Sequence, residues 1–172
     1  VPGAGPLAFT SIGTATVVGL AVMVGLGVFP LEGRTIIPLS GMIVGNTMAS
    51  VVVLGRRLVA EVSEKRAEIE ARLALGQPWQ EAGRPSVRSA LKTALLPGIE
   101  RTKVVGLVAL PGAMTGLILA GVPADQAVKV QAAVLFQLIG AEAAAVSVVA
   151  VALKKKLFTP DHRLVRIDRT EA

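Results

Sequence analysis

Four long apolar blocks separated by charged segments form the main pattern of this chain. No ionisable residue occurs in residues 1–31, 35–55 or 104–124, and residues 130–153 contain only Glu142. A hydrocarbon core of about 30 Å takes about 20 helical residues to cross, whereas buried helices of soluble proteins show apolar runs of about 10–14 residues. The pattern therefore predicts an all-α, polytopic integral membrane protein with four transmembrane helices.

The four helices are predicted within a single transmembrane domain that covers residues 1–172. Segments inside them are apolar on every side, unlike the amphipathic helices of a soluble bundle. Between the second and third helices, about residues 56–102 form a helical loop, and residues 157–172 form a tail. The approximate bounds of the membrane helices are 14–29, 36–55, 103–119 and 129–156.

Lysine and arginine are concentrated in the loop and the tail. Residues 55–103 hold ten Lys or Arg against six Glu, and residues 154–172 hold six against three acidic residues. Because cytoplasmic segments beside membrane helices carry such a surplus, both are predicted to be cytoplasmic in a multi-pass protein of the inner (plasma) membrane. The net charge of +6 does not indicate nucleic acid as a partner, since the chain has no Tyr and one Trp for base stacking.

The loop keeps a helical pattern beyond the second membrane helix. Glu61 and Lys65 are four residues apart and therefore share one helix face. Residues 76–78 break this helix, and a second helix is predicted from an N-cap at Ser86 to a stop at Pro97. An apolar stripe that needs a packing partner is formed by Leu58, Val62, Ile69 and Leu73.

Two GxxxG pairs predict close helix packing. Gly41 and Gly45 lie in the second membrane helix, and Gly112 and Gly116 lie in the third. Within lipid, the close approach of backbones through small residues supplies much of the association between helices. We therefore expect each pair to form a groove for a neighbouring helix.

Polar groups at membrane depth suggest a transport path. Pro111 cannot donate to the carbonyl of Leu107, so it is predicted to kink the third helix. The freed carbonyl faces a transport path, or the kink serves packing alone. Asn46, Thr115 and Gln131 allow the same two interpretations, because amide and hydroxyl groups also bond neighbouring helices.

Glu142 is the ionisable residue of the last membrane helix. A charge at the bilayer centre costs about 3 kcal/mol on insertion scales, so this side chain is either a proton or cation site or a protonated group bonded within a helix interface. Met42, Met48 and Met114 could offer soft thioether ligands to a metal. Filling gaps between helices is the favoured interpretation for these methionines.

Catalytic and nucleotide-binding motifs are absent from the sequence. There is no Cys and one His, His162 in the tail, and no GxxxxGK motif followed by Ser or Thr. We therefore expect neither an enzyme active site nor a cofactor in this chain, and any ATP must be hydrolysed on another protein.

Two segments, PLSGMIVGNTM (38–48) and ALLPGIERTKVVGLVALPGAMTGLILAGVPADQAVKVQ (94–131), resemble the FetB-type permease family. These proteins are membrane subunits of ABC exporters implicated in bacterial iron export, with plant relatives tied to aluminium tolerance. The resemblance runs from about Gly13 to residues 162–164. In this chain Val130 stands where the family commonly has an aromatic residue, and Glu142 matches none of the family's motifs. The matching positions are Gly41, Met42, Gly45, Asn46, Met48, Pro97, Lys103, Gly106, Leu107, Pro111, Gly112, Met114, Gly116, Gly121, Pro123 and Gln131.

The resemblance implies a homodimeric permease that exports a metal ion or metal complex. It also implies a separate ATP-binding subunit, which holds ATP and magnesium, and about seven membrane helices in the complete protein. The segment EARLALG (70–76) resembles the EAA loop of ABC permeases, although Arg72 replaces its second Ala. Coupling to the ATPase is therefore predicted for Glu70, Ala71, Arg72, Gly76, Pro78, Trp79, Glu81 and Arg84.

Two other functions remain open from the residues. The chain could be an ion-coupled secondary transporter that uses Glu142 as its proton site. It could also be a membrane scaffold without a transported substrate, whose loop serves only for docking. Whatever the function, the segment 70–76 could be a solvated amphipathic helix instead of an EAA loop.

Overall fold

Helices make up almost all of the part of the chain that the structure describes. The structure is a computed structural model and describes residues 4–104, 112–158 and Leu164. Its helices are α1 (Ala4–Gly25), α2 (Gly33–Glu64), α3 (Arg66–Ala74), α4 (Trp79–Ala82), α5 (Arg84–Val104), α6 (Gly112–Leu119) and α7 (Ala124–Leu157). Within these ranges there is no strand beyond an isolated antiparallel bridge between Phe158 and Leu164. The predicted all-α fold is confirmed.

Three helices of the described chain are long and apolar enough to cross a membrane. They are Gly5–Gly25, Thr35–Glu64 and Ala124–Leu157, and they correspond to three of the four predicted membrane helices. The predicted helix at 103–119 includes residues 105–111, which lie outside the described residues. Its described parts are the end of α5 and the eight residues of α6.

The first helix begins earlier and ends earlier than the predicted 14–29. Its hydroxyl groups bond to carbonyls of their own helix, Thr10 to Leu7 at 3.0 Å and Thr16 to Ile12 at 2.8 Å, so these polar residues do not interrupt α1. The helix ends before Phe29 because Gly27 adopts a left-handed φ of 68°. The amides of Gly27 and Val28 then bond back to the last turn at 3.0 Å each, which is a Schellman cap.

The prediction that Pro97 ends a helix is wrong. α5 runs from Arg84 to Val104 and contains Pro97, and Ser86 is a buried residue of this helix rather than its N-cap. A proline removes one amide donor from a helix. Here a stripe of small buried residues at every fourth position lets α5 pack closely on its neighbours along its length, which stabilises the helix across this defect. The stripe consists of Ser86, Ala90, Ala94 and Gly98.

The contacts of α5 define how the bundle is arranged. Towards its beginning, Ser89 bonds to Glu61 of α2, and towards its end, Arg101 bonds to Asn46 of the same helix. α5 is therefore antiparallel to α2. The chain approaches α7 in the same sense, since Gly83 just before α5 lies near Phe158 just after α7, and Gly98 of α5 lies near Glu142 of α7. α5 thus lies against both long helices, and α1 packs on their other side.

The core of the bundle continues into the loop predicted at 56–102. α2 extends to Glu64, as expected from its helical pattern past Gly55. The predicted apolar stripe has the partner it needed, since Leu58, Val62 and Ile69 are buried in one cluster with residues of α5 and α7. We call residues 56–96, which include the end of α2, α3, α4 and the first part of α5, the arm.

Candidate functional site

A cluster of polar side chains joins α2, α5 and α7. Arg101 Nη1 donates a hydrogen bond to Asn46 Oδ1 and lies 3.8 Å from Glu142 Oε1. The Glu142 side chain is only 2% exposed, and its Oε1 has no hydrogen-bond partner among the described residues. Gly98 lies over this carboxylate, because a Cβ at position 98 would collide with Glu142 Oε2. We call these four residues the mid-span cluster.

The mid-span cluster lies far from the ends of the apolar segments of α2 and α7. Asn46 lies ten residues before Arg56, and Glu142 lies twelve residues before Lys154. At 1.5 Å per residue these separations are about 15 Å and about 18 Å. Half of a hydrocarbon core of about 30 Å is about 15 Å. Both residues are therefore near the middle of their spans, and Arg101 lies beside them.

The end of α5 carries charge at this level on its exposed side. The Arg101 side chain is 43% exposed, and Glu100 and Lys103 form an exposed ion pair of 2.8 Å. Charged side chains at membrane depth almost always face a bundle interior or a water-filled cavity. Residues 98–101, which belong to the predicted helical loop at 56–102, pack beside Asn46 of α2 and Glu142 of α7.

A buried carboxylate ties the arm together. Glu61 of α2 is almost inaccessible and accepts hydrogen bonds from Arg57 at 2.7 Å and from Ser89 of α5 at 2.6 Å. Lys65 forms an ion pair with the other oxygen of Glu61 at 2.8 Å. The predicted pairing of Glu61 with Lys65 is thereby present. Because the network joins two elements, it fixes the start of α5 against α2.

The tip of the arm is exposed and partly apolar. Gly76 adopts a left-handed φ of 84°, and the amides of Gly76 and Gln77 bond back to α3 at 3.0 and 3.1 Å. This cap ends α3 and leaves Leu75 86% exposed. Most of the predicted coupling residues lie on the exposed surface here, namely Glu70, Ala71, Gly76, Pro78, Glu81 and Arg84. Arg72 is half-buried and pairs with Glu68 at 2.5 Å.

Trp79 packs inward, towards the end of α7. Its ring centroid lies 5.7 Å from that of Phe158, and Lys154 Nζ lies 5.8 Å from the Trp79 ring. Lys154 also donates a hydrogen bond of 2.5 Å to the carbonyl of Gln80. Gly83 makes room for the Phe158 ring, since a Cβ there would lie 2.8 Å from it. We call this contact the clamp, and it fastens the arm to α7.

The other predicted path residues lie apart from the mid-span cluster. Gln131 is buried on α7 and its Oε1 has no hydrogen-bond partner among the described residues. It lies eleven residues before Glu142, or about 16 Å along the helix. Thr115 is half-buried on α6. Leu107 and Pro111, with the predicted kink, lie outside the described residues.

The two GxxxG pairs face away from the described part of the chain. A Cβ at Gly41, Gly45, Gly112 or Gly116 would meet nothing within 4 Å. Close packing of these glycines on another helix therefore stays a prediction, and that helix would have to come from outside the described residues.

The three methionines considered as metal ligands lie on different surfaces. Met114 is buried on α6, whereas Met48 is exposed on α2. Met42 lines a groove of about 530 Å³ with Gly116 and Leu117 of α6. Across the described ranges, there is also no group of three or more His, Cys, Asp or Glu side chains placed to hold a metal ion.

Sequence reasoning missed Arg101 and Gly98 as partners of Glu142. Their charge and helix-breaking character, next to Pro97, indicated a loop. One signal could have found Gly98, because it continues the spacing of four that runs through Ala90 and Ala94. That spacing indicates a helix face that packs closely on its neighbours.

Comparison with known proteins finds several relatives. The chain is 43% identical over 141 residues to the UPF0014 membrane protein STAR2 of Oryza sativa subsp. japonica, covering 82% of this chain and 50% of that protein. It is 34% identical to the UPF0014 membrane protein YjkA of Bacillus subtilis (strain 168), covering 91% of this chain and 62% of that protein. It is 32% identical to the probable iron export permease protein FetB of Escherichia coli (strain K12), covering 91% and 61%.

The chain thus spans between half and two thirds of the length of these relatives. No solved structure matches it. A family model matches residues 1–158, which is most of the chain and includes every described residue except Leu164. The chain belongs to the uncharacterised protein family UPF0014.

Proposed function

We propose that this chain is the membrane-spanning part of an ABC exporter permease that moves a metal ion or metal complex across the inner (plasma) membrane. A separate ATP-binding subunit, holding ATP and magnesium, supplies the energy, and two copies of the permease surround the path. The observation that carries the proposal is the charged end of α5 beside mid-span residues of α2 and α7. Such charges need water or a polar partner at that depth, and a transport path supplies both.

The relatives support the class of substrate. FetB is named a probable iron export permease protein, and 91% of this chain aligns with it. If this chain has a comparable role, Asn46 and Glu142 of the mid-span cluster line the transport path. Gln131, which lies nearer the start of α7, lines it as well. Thr115, Leu107 and Pro111 complete the proposed path on the α6 side.

The arm supplies a route by which an ATP-binding subunit could move the membrane helices. Its tip exposes Leu75 to a partner, while the clamp holds its other surface against the end of α7. α5 then runs without a break from the arm to the mid-span cluster. A displacement imposed at the tip therefore reaches Arg101 through one helix. In this arrangement the arm and the tail are cytoplasmic.

Binding of an ATP-binding protein by the complete permease tests this proposal. Replacing an exposed apolar contact residue costs on the order of 1–2 kcal/mol, so Leu75→Ser should weaken the complex about tenfold. Leu31→Ser is the matched control, because Leu31 is 76% exposed in the connection between α1 and α2. The measurement is co-purification together with metal-stimulated ATPase activity in the reconstituted complex. If no ATP-binding protein associates, or if both variants bind as tightly as the unmodified protein, the exporter proposal fails.

An ion-coupled secondary transporter is the second candidate. The buried Glu142, with an oxygen that lacks a hydrogen-bond partner among the described residues, favours it. In that case Glu142→Gln abolishes uptake driven by a pH gradient in vesicles without ATP, whereas an ABC permease shows no such uptake. Absence of both pH-driven uptake and stimulated ATPase activity would indicate a membrane scaffold.

A further inference from the structure

Two oxygen atoms on different helices approach one nitrogen atom of Arg101. Asn46 Oδ1 on α2 accepts a hydrogen bond from Nη1, and Glu142 Oε1 on α7 lies 3.8 Å from the same nitrogen. The amide of Asn46 is fixed in turn, because its Nδ2 donates a 2.7 Å hydrogen bond to the carbonyl of Met42. The arrangement therefore directs an amide oxygen and a carboxylate oxygen at one positively charged group.

Amide and carboxylate oxygens are ligands that hard divalent cations prefer. Nη1 of Arg101 lies beside both oxygens, and a divalent cation in its place would bind both once Glu142 Oε1 moved closer than its present 3.8 Å. We propose that Asn46 and Glu142 form a transit site for a divalent cation, and that Arg101 fills this site as an internal cation in the conformation of this structure. The proposal rests on the proposed transport of a metal ion and identifies where that ion crosses the middle of the span.

Two oxygen ligands suit a site that a cation binds weakly during transport, rather than one that holds a metal ion permanently. Divalent cations take about six or more oxygen ligands in a closed site, whereas the described residues direct two oxygens towards Arg101 here. Water or a second copy of the chain must supply the others, which keeps the affinity low and lets the ion leave. Glu142 supplies the negative charge, and the Arg101 guanidinium balances that charge when no cation is present.

Access to the carboxylate depends on α5. Gly98 covers Glu142, whose side chain is 2% exposed, and Arg101 follows one helical turn later. Because α5 continues into the arm, a shift of this helix uncovers the carboxylate and withdraws the guanidinium in the same movement. The exposed side of Arg101 gives its side chain room to move away from the cluster.

Removal of the internal cation tests the proposal. In Arg101→Gln the carboxylate loses its counter-charge, so Mn²⁺ alone should bind and stabilise the complete permease in detergent. We expect the melting temperature to rise by about 2–4 °C for each kcal/mol of binding, in a manner that saturates with Mn²⁺ concentration. Arg101→Lys, which keeps a positive charge, and the double variant Arg101→Gln with Glu142→Gln are the controls, and both should show no saturable rise.

The comparison between Arg101→Gln and the double variant decides whether Glu142 binds the cation. Equal responses of Arg101→Gln and the double variant would overturn the transit site. If Arg101→Gln is recovered poorly, its folded yield with and without Mn²⁺ during extraction replaces the melting curve, and a yield that Mn²⁺ does not raise is equally contradictory. None of these measurements uses the ATP-binding subunit, so a missing Mn²⁺ effect beside metal-stimulated ATPase activity refutes this site alone. A Mn²⁺ effect without any ATPase partner refutes only the proposed exporter.

Discussion

Gly98 shows how one missing side chain positions a buried charge. An alanine in the interior of a helix is ordinarily more stable than a glycine by about 1 kcal/mol. At position 98, however, the added Cβ would meet Glu142 Oε2. The carboxylate must then move away, which disturbs its approach to Arg101. The glycine therefore leaves room for the carboxylate between the helices, and its backbone conformation does not call for glycine.

Gly98→Ala should lower the stability of the permease by about 1–2 kcal/mol, because overpacking costs more than the gain in helix propensity. Gly45→Ala is the matched control, since a Cβ at that mid-helix position meets nothing within 4 Å in the described chain. Thermal unfolding in detergent measures both. The packing of α5 on Glu142 would be contradicted if the two variants shift the melting temperature equally and in the same direction.

Some residues of the mid-span cluster could be identified from the sequence, and others could not. Glu142 could be identified because it is the one ionisable residue in an apolar block. Arg101 could not, because it follows Pro97 within a charged segment, and charge alone does not show that a helix carries it back among membrane helices. The early start of α1 could not be predicted either, and bonding of the Thr10 hydroxyl within its own helix makes that residue compatible with a helix that begins before residue 14.

At the scale of elements, α5 is the feature that connects the arm with the middle of the membrane helices. Its position depends on tertiary contacts at both ends, the network around Glu61 and the mid-span cluster. Local sequence rules predicted a stop at Pro97 because they count the lost hydrogen bond. They do not count the close packing of the small residues along α5, which compensates for it. The long helices α2 and α7 could be predicted because their apolar runs are long, so that a single unfavourable residue such as Pro38 does not hide the pattern.

The clamp connects the arm to α7 through α4, and Trp79→Ala should remove this connection. Loss of the half-buried indole contacts should cost about 2 kcal/mol. It should also leave ATP hydrolysis by the assembled transporter less responsive to metal, because the arm moves without α7. Trp79→Phe, which keeps a ring beside Phe158, is the control. Melting temperature and metal-stimulated ATPase activity provide the two measurements, and identical values for the alanine and phenylalanine variants would contradict a coupling role.

At the scale of the whole molecule, the described helices leave several apolar surfaces uncovered. A groove of about 440 Å³ between α1 and α7 is lined mainly by small and apolar residues, including Ala15, Gly140 and Ala144. The two GxxxG pairs are also uncovered. Lipid, a second copy, or the further length that the relatives possess could cover these surfaces. The charged end of α5 is different, since lipid is excluded there by the cost of burying charge.

We expect water to reach the mid-span cluster, and thiol labelling at Asn46 measures whether it does. Asn46→Cys and Val44→Cys place a thiol on α2 only two residues apart, and this chain contains no other cysteine. Asn46 faces Arg101, whereas Val44 is an apolar residue on the exposed surface. A membrane-impermeant maleimide applied to open membrane fragments should label position 46 and leave position 44 unmodified. Equal protection of both positions would show that no water path reaches the middle of the span and would contradict the account.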